Sequence, residues 1–157
     1  MIRRIIFSIA AVATLFFVGT TSSSAQTAGT STLEQIGFIM NKSYAFGMNG
    51  AGSILSLRDM SSGTEVMTVS AEGTNDIVVG AVIGDMSSMS ASGRDQLRND
   101  IFFMNTRLPV GTIIVEPSGI VRMEHRLNTA MVPMSQISVV ISRFSNEVSR
   151  RRAELFA

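Results

Sequence analysis

Cysteine is absent from the sequence, and histidine occurs only once. Without cysteine the chain forms no disulfide, carries no lipid on a thiol and offers no thiol chemistry, so its stability must come from packing. Basic and acidic side chains nearly balance, with a formal net charge of +1. This balance argues against an electrostatic binder of nucleic acid, and we expect no nucleic-acid partner.

The first 25 residues have the three-part layout of a secretory signal peptide. Arg3 and Arg4 precede an apolar run over residues 5–18, and the small residues Ser23 and Ala25 mark a cleavage site. The run is shorter than the roughly 20 residues that a spanning helix needs, so we expect cleavage. An uncleaved membrane anchor is the alternative. Cleavage predicts a periplasmic or secreted protein with no stable membrane anchor.

The mature chain of 132 residues is long enough for one domain with a hydrophobic core and too short for two. Residues 26–30 are small and polar, and we expect a disordered lead-in there. A single domain then covers residues 31–157. Its basic cluster at residues 150–152 is interpreted as a solvated helix end, where cations complement the helix dipole.

A β-hairpin around residues 116–119 is the strongest structural signal in the sequence. Pro117 presets φ at the second position of a type I turn, and Gly119 supplies the left-handed residue that closes the turn. Pairing outward from the turn predicts three opposed pairs on one face: Val115 with Val121, Ile113 with Met123, and Gly111 with His125. The charged residues of the second strand then share the other face: Arg122, Glu124 and Arg126.

Two amphipathic helices flank this hairpin. Ser92 and Asp95 predict the start of the first, which carries apolar residues at helical spacing: Leu97, Ile101 and Met104. Pro109 ends it. After the hairpin, Pro133 suits the first turn of a closing helix with a longer apolar stripe: Ile137, Val140, Ile141, Phe144 and Val148. This stripe is expected to cover the apolar face of the hairpin.

The first half of the domain is predicted to hold one helix and three strands. Ser31 and Glu34 form a capping box, and we expect the helix that it opens to end near Phe46. A strand beginning within residues 44–48 is the alternative. Alternating and apolar runs then predict an antiparallel meander over three segments: residues 53–59, 65–71 and 77–83. The last segment is apolar without alternation, which is typical of a central strand.

The predicted fold is α+β, with a five-stranded antiparallel sheet and three helices in the order α-β-β-β-α-β-β-α. This order resembles the type III secretion chaperone-like fold and, within it, the YbjN family of small bacterial proteins. The resemblance is carried by residues 100–105, by the turn at residues 116–119 and by the closing helix with Val140 and Phe144. Residues 33–83 agree in element order only.

The resemblance implies a YbjN-like regulatory module that binds protein and has no established reaction or ligand set. Secretion chaperones of this fold are cytosolic dimers that bind extended effector segments, and an exported chain departs from that pattern. We therefore expect the partner to be another protein or a second copy of this chain. Arg122, Glu124 and Arg126 are the candidate partner-binding residues. A merely solvated strand face is the alternative interpretation of these three residues.

No catalytic constellation appears in the sequence. His125 is predicted to lie on the apolar face of its strand, whereas its neighbour Glu124 lies on the other face, so the two do not form an acid–base pair. We expect His125 to be a partly buried structural residue. The acidic residues are scattered, and no phosphate loop or nucleophile elbow matches. We therefore predict no enzyme and no cofactor.

Methionine is frequent, with 11 residues in the chain. Two pairs have two residues between their thioethers: Met86 with Met89, and Met131 with Met134. Thioethers bind Cu(I), so a periplasmic Met-based Cu(I)-binding protein is the alternative function. Methionine also fills gaps in cores and forms adaptable surfaces. Copper sites need three or four convergent ligands, and the sequence shows only pairs.

Overall fold

The computed structural model of the chain describes residues 21–156, with side chains from residue 31 onward. Its three helices are α1 (Thr21–Met40), α2 (Ala91–Asn105) and α3 (Met134–Phe156). Its strands are β1 (Ala45–Met48), β2 (Ile54–Arg58), β3 (Glu65–Glu72), β4 (Asp76–Asp85), β5 (Thr112–Val115) and β6 (Ile120–Asn128). The described strands form one antiparallel sheet in the order β1-β2-β3-β4-β6-β5.

The predicted α+β class, with three helices and an antiparallel sheet, is confirmed. The strand count is wrong, because the described sheet has six strands rather than five. The additional strand is β1, where the sequence predicted the end of the first helix. That helix stops at Met40, whose carbonyl accepts the N–H groups of Ser43 and Tyr44 at 2.9 and 3.0 Å. The chain then forms a hairpin with β2, which follows β1 after a short loop, and this pairing replaces the predicted last helical turn.

Helix α1 begins at Thr21, before the predicted capping box at Ser31. Residues 26–30 are therefore helical in the structure, where a disordered lead-in was expected. No proline occurs between residues 21 and 40, so nothing in the backbone prevents helical hydrogen bonding from extending past Ser31. Residues 1–20 of the predicted signal peptide lie outside the described residues, and cleavage stays a prediction.

The hairpin of β5 and β6 has the predicted register near its turn. Ile113 pairs with Met123, and Val115 pairs with Val121. The predicted pairing of Gly111 with His125 is wrong, because the ladder ends one residue earlier, at Thr112. Gly111 adopts a φ of +80°, a left-handed conformation that takes the chain out of the strand.

Helices α1 and α3 pack on one face of the sheet, which we call the inner face, and α2 packs against β5. Phe144 of α3 is completely buried there, together with Val121 and Met123 of β6. The predicted stripe of α3 is thus the side that meets the sheet. Helix α2 starts two residues earlier than expected, because the hydroxyl of Ser90 rather than that of Ser92 accepts the capping N–H of Gly93 at 3.2 Å. The opposite, outer face of the sheet carries no described helix.

Candidate functional site: the two edges of the sheet

The two outermost strands of the sheet are β1 and β5, and each leaves one row of backbone groups without a strand partner among residues 21–156. In antiparallel pairing, successive residues point their N–H and C=O groups alternately toward and away from the neighbouring strand. On β5 the alternation is set by the N–H of Glu116, which donates to the carbonyl of Ile120 at 2.9 Å. Ile113 and Val115 therefore direct their backbone groups outward.

A side chain closes the β5 edge. The amide nitrogen of Asn105 donates to the carbonyl of Ile113 at 2.9 Å, and the N–H of Ile113 donates to the amide oxygen of Asn105 at 2.8 Å. The amide thus makes the two hydrogen bonds that a neighbouring strand would make at Ile113. Asn105 is the last residue of α2, and the buried Leu97 and Ile101 hold this helix against the core. The β5 edge is blocked at its centre.

The β1 edge has no such cover in the described part of the chain. The N–H of Asn49 donates to the carbonyl of Ile54 at 2.9 Å, which sets the alternation along β1. Phe46 and Met48 consequently direct their N–H and C=O groups away from β2. No strand within residues 21–156 pairs with this side, and three of the four residues of β1 are exposed.

Two exposed phenylalanines lie beside the β1 edge. Phe38 of α1 is 67% exposed, and its ring meets that of Phe46 edge to face, with 5.7 Å between the centroids. Gly37 permits this arrangement, since a Cβ at its position would lie 2.7 Å from the ring of Phe46. We call Phe38 and Phe46 the edge aromatic pair. It adjoins backbone donors and acceptors that no strand within residues 21–156 pairs with, and strand-adding sites present this combination to an extended peptide.

The charged residues predicted to bind a partner share the outer face, as the register places them. Their charges are already paired within the chain. Arg126 forms an ion pair with Glu72, whose hydrogen bond raises the pKa of Arg126. Arg122 lies 3.4 Å from Glu116 and 3.7 Å from Glu124. The role of Arg122, Glu124 and Arg126 in partner binding stays a prediction.

The two methionine pairs lie at opposite ends of the sheet. Met86 follows Asp85, which pairs with Ile120 at one end of β6, whereas Met131 follows Asn128 at the other end. Eight residue steps of a strand separate these ends by roughly 26 Å. Met86 is buried and Met131 exposed, so the four thioethers do not converge on one ion. The described residues also contain no cluster of three His, Cys, Asp or Glu side chains that could hold a metal.

His125 is partly buried and faces the core, as predicted. Its ring stacks on Phe144, with 6.5 Å between the centroids and 22° between the planes. Burial lowers the pKa of His125, because the charged imidazolium loses solvation there. Glu124 lies on the opposite face of the strand and does not approach it. The contacts of His125 are those of a packing residue.

Sequence reasoning missed both the edge aromatic pair and a second one on α2. Phe102 and Phe103 are both exposed, and their rings meet edge to face at 5.7 Å. A signal for this second pair exists, since neither residue falls on the apolar spacing of Leu97 and Ile101. Phe38 gives a similar signal, because it lies off the buried stripe of α1 that contains Leu33, Ile36 and Met40. The closure of β5 by Asn105 leaves no signal in the sequence.

The fold is that of an α+β domain in which helices cover one face of an antiparallel sheet. No family model and no curated protein matches the chain. A solved structure with a similar fold is the type III secretion chaperone SycH of Yersinia pestis, in complex with a stable fragment of YscM2. The TM-score is 0.51 at 15% sequence identity, and the match covers 77% of this chain and 97% of SycH.

This similarity confirms the chaperone-like fold that the element order predicted, and it concerns the fold alone. The narrower resemblance to the YbjN family finds no support in the comparisons. Within residues 21–156, none of the three helices combines the length and the apolar character of a membrane span.

Proposed function

We propose that this chain is a non-catalytic protein-binding module that takes up an extended segment of a partner protein beside β1. The observation that carries the proposal is the difference between the two sheet edges. Asn105 blocks the β5 edge at Ile113, whereas the β1 edge offers backbone groups that no described strand pairs with, next to two exposed aromatic rings. A fold of this type is known to hold a protein fragment in SycH, which was solved with a piece of YscM2.

The bound segment would form a seventh strand. Its backbone would exchange hydrogen bonds with Phe46 and Met48, the residues of β1 whose N–H and C=O groups point away from β2. Every second side chain of the segment would then point to the inner side of the sheet and meet Phe38 and Phe46. The other side chains would pass Ala45 and Gly47, which are small. The site therefore favours a segment in which apolar and polar residues alternate.

Export belongs to the same proposal, and it rests on the pattern of residues 1–25. We propose that cleavage after Ala25 delivers a periplasmic or secreted, YbjN-like regulatory protein, whose α1 then begins at Gln26. Intact-mass analysis of the exported protein tests this step. A mass that retains residues 1–25 would contradict it and would make the chain membrane-anchored.

The binding site is tested with a synthetic peptide of about eight residues, in which valine and threonine alternate between terminal lysines. On titration into the processed protein, we expect hydrogen exchange to slow at the amides of Phe46 and Met48, because these amides gain partners. Met48→Pro removes the outward N–H at one of them without touching the bonds to β2, and it should abolish binding. Slowed exchange confined to β5 would contradict the proposal.

The edge aromatic pair provides a matched control. Phe38→Asp should weaken peptide binding at least about tenfold, because it places a charge where apolar side chains must pack. Phe102→Asp changes an equally exposed phenylalanine, 66% against 67%, on a different helix and should leave binding unchanged. Sedimentation of the free protein tests the alternative that a second copy of the chain occupies the β1 edge. A dimer that Met48→Pro dissociates would identify a second copy of the chain as the strand donor and overturn the heterologous partner.

A further inference from the structure

Strands β3 and β4 separate before either of them ends. Their ladder stops at the pair Thr68 and Gly80, although β3 begins at Glu65 and β4 continues to Asp85. Beyond Gly80, β4 pairs with β6 alone, and its register there shifts between Val82 and Gly84. A cleft of about 570 Å³ opens between the separated strands. Its volume falls within the range of small-molecule binding sites.

The cleft joins apolar walls to cationic groups. Its apolar walls come from Ile54, Val66 and Val82, and its charged groups include the guanidinium groups of Arg122 and Arg152. Five different elements contribute these side chains, so that the site exists only in the folded chain. It is distinct from the β1 edge, because the edge aromatic pair packs on the inner side of the sheet, with α1.

Arg152 reaches the cleft because α3 is anchored at the end of β4. Gly84 has no side chain, and the ring of Phe156 occupies that space: a Cβ at Gly84 would lie 2.4 Å from the ring. Arg152 lies four residues before Phe156, on the same side of the helix. It donates from Nη2 to the carbonyl of Val82 at 2.6 Å. The alternating direction of backbone groups along β4 points this carbonyl toward β3, which no longer pairs with β4 beyond Gly80.

The three consecutive arginines of α3 differ in their partners. Arg150 and Arg151 both donate to Glu147, with the shortest contacts at 2.6 and 2.5 Å, and Arg151 also pairs with Glu154. Burial would raise the pKa of Glu147, but the hydrogen bonds from these two arginines outweigh burial and hold the pKa below its ordinary value. Arg152 forms no ion pair with any carboxylate of residues 31–156.

Arg122 also has unused hydrogen-bonding capacity. Its Nε is buried and has no hydrogen-bond partner among the described side chains, and its carboxylate neighbours Glu116 and Glu124 lie at 3.4 and 3.7 Å. The carboxylate in the lining of the cleft is Glu65, and the hydroxyl of Ser56 already donates to it at 2.6 Å. A guanidinium has five N–H donors, so Arg152 keeps several after its bond to Val82.

We propose that this cleft binds a small amphipathic carboxylic acid, with the carboxylate on Arg152 and the apolar body against Ile54, Val66 and Val82. A planar guanidinium without an acidic partner is suited to a carboxylate, which it can bind through two parallel hydrogen bonds. The apolar walls favour a ligand with an apolar body, which a simple inorganic anion lacks. This site is separate from the proposed protein-binding edge, and either can exist without the other.

The test uses octanoate as the probe, titrated into the processed protein and followed by amide chemical shifts. We expect saturable shifts centred on Thr68, Gly80 and Val82. Octan-1-ol lacks the charge and acetate lacks the apolar body, so both should bind at least about tenfold more weakly. Equal binding of octan-1-ol, or no shift with octanoate up to about 10 mM, would overturn the proposal.

The matched variants are Arg152→Gln and Arg150→Gln, which remove the same charge two residues apart on α3. Arg152→Gln should weaken octanoate binding at least about tenfold, whereas Arg150→Gln should bind like the parent protein. Equal binding by both variants would remove Arg152 from the site. An acetylated dipeptide with a free leucine carboxylate distinguishes the source of the acid. If it binds more tightly than octanoate, the ligand is a peptide C-terminus, and the small-acid assignment is wrong.

Discussion

The side-chain amide of Asn105 and the backbone of Ile113 form a closed pair of hydrogen bonds, at 2.9 and 2.8 Å. The donor of each residue meets the acceptor of the other, as the backbones of two antiparallel strands do. One residue at the end of α2 therefore substitutes for a missing neighbour of β5. Exposed edges tend to pair with other chains, and such covers prevent this. The β1 edge lacks a cover of this kind among the described residues, which makes it the available docking edge.

Replacing Asn105 by alanine should destabilise the domain. The N–H and C=O of Ile113 would lose their partners, at a cost of about 1–3 kcal/mol in the free energy of unfolding. Asn105→Asp should also destabilise, because a carboxylate can accept from the N–H of Ile113 but cannot donate to its carbonyl. Denaturant melts provide the measurement, and sedimentation should reveal self-association through the opened edge.

Asn99→Ala is the control for this experiment, since Asn99 is exposed on the same helix. It should stay within about 0.5 kcal/mol of the parent protein. If Asn105→Ala and Asn99→Ala unfold at the same denaturant concentration, the amide of Asn105 does not support the β5 edge.

Phe144→Ala should cost about 3–5 kcal/mol, since the ring is completely buried between α3 and the hairpin. That is a large share of the ~5–15 kcal/mol by which ordinary domains are stable, and no disulfide compensates for the loss. Met123→Asp should be severe as well, because it buries a charge. Arg122→Ala, on the outer face, should cost no more than about 1 kcal/mol, because it removes only partly exposed ion pairs. A small loss of stability in Met123→Asp together with a large loss in Arg122→Ala would contradict the observed register.

Gly111→Ala should destabilise more than Gly63→Ala. Both glycines have a positive φ, of +80° and +67°, so each alanine carries a conformational cost of about 1–2 kcal/mol. At Gly111 the new Cβ would also lie 2.9 Å from the carbonyl oxygen of Glu124, whereas nothing lies within 4 Å at Gly63. Paired denaturant melts measure the difference. Equal losses would show that the steric contact at Gly111 contributes nothing.

Stability should fall between pH 7 and pH 5 because of His125, the only histidine of the chain. Burial lowers its pKa in the folded protein below the ordinary value of 6.5. As the pH drops through 6.5, His125 becomes protonated in the unfolded chain while it is still neutral in the folded chain. The free energy of unfolding therefore decreases. His125→Phe should remove this slope while preserving the contact with Phe144.

Asp59 and Glu147, two carboxylates whose pKa is lowered in the folded protein, act mainly below this window. The hydroxyl of Ser61, with further hydrogen bonds from Ser61 and Ser62, lowers the pKa of Asp59 to about 2 from 3.8, and the pKa of Glu147 also lies below its ordinary 4.5. Their stabilising contributions are complete above pH 5 and are lost only in stronger acid. If the free energy of unfolding falls by the same amount between pH 7 and pH 5 in the parent protein and in His125→Phe, the assignment of this pH dependence to His125 is wrong.

The hairpin and α3 were predictable because their signals are local. Pro117 and Gly119 define the turn, and pairing outward from it predicts the register of Ile113 with Met123. Phe144 belongs to a stripe whose spacing repeats over several helical turns. In each case residues close in sequence carry the complete information about the element.

Strand β1 was mistaken for helix because local information there is ambiguous. Tyr44 continues the apolar spacing of Met40, and the four residues of β1 include a glycine and no polar residue that would alternate with apolar ones. Pairing with β2 decides the outcome, since backbone groups that leave a helix must find other partners. The hydroxyl of Tyr44 meanwhile donates to Ser145 of α3 at 2.9 Å, a contact across 101 residues.

The sequence by itself determined the α+β class, the hairpin, the inward stripe of α3 and the absence of thiol chemistry, because these follow from residue type and short-range spacing. Only the tertiary structure decided which sheet edge stays open and where β3 leaves β4. Asn105 and Ile113 are eight residues apart, and Arg152 and Val82 are seventy apart. Contacts of this kind depend on how packed elements approach one another, and no local pattern of residues encodes that approach.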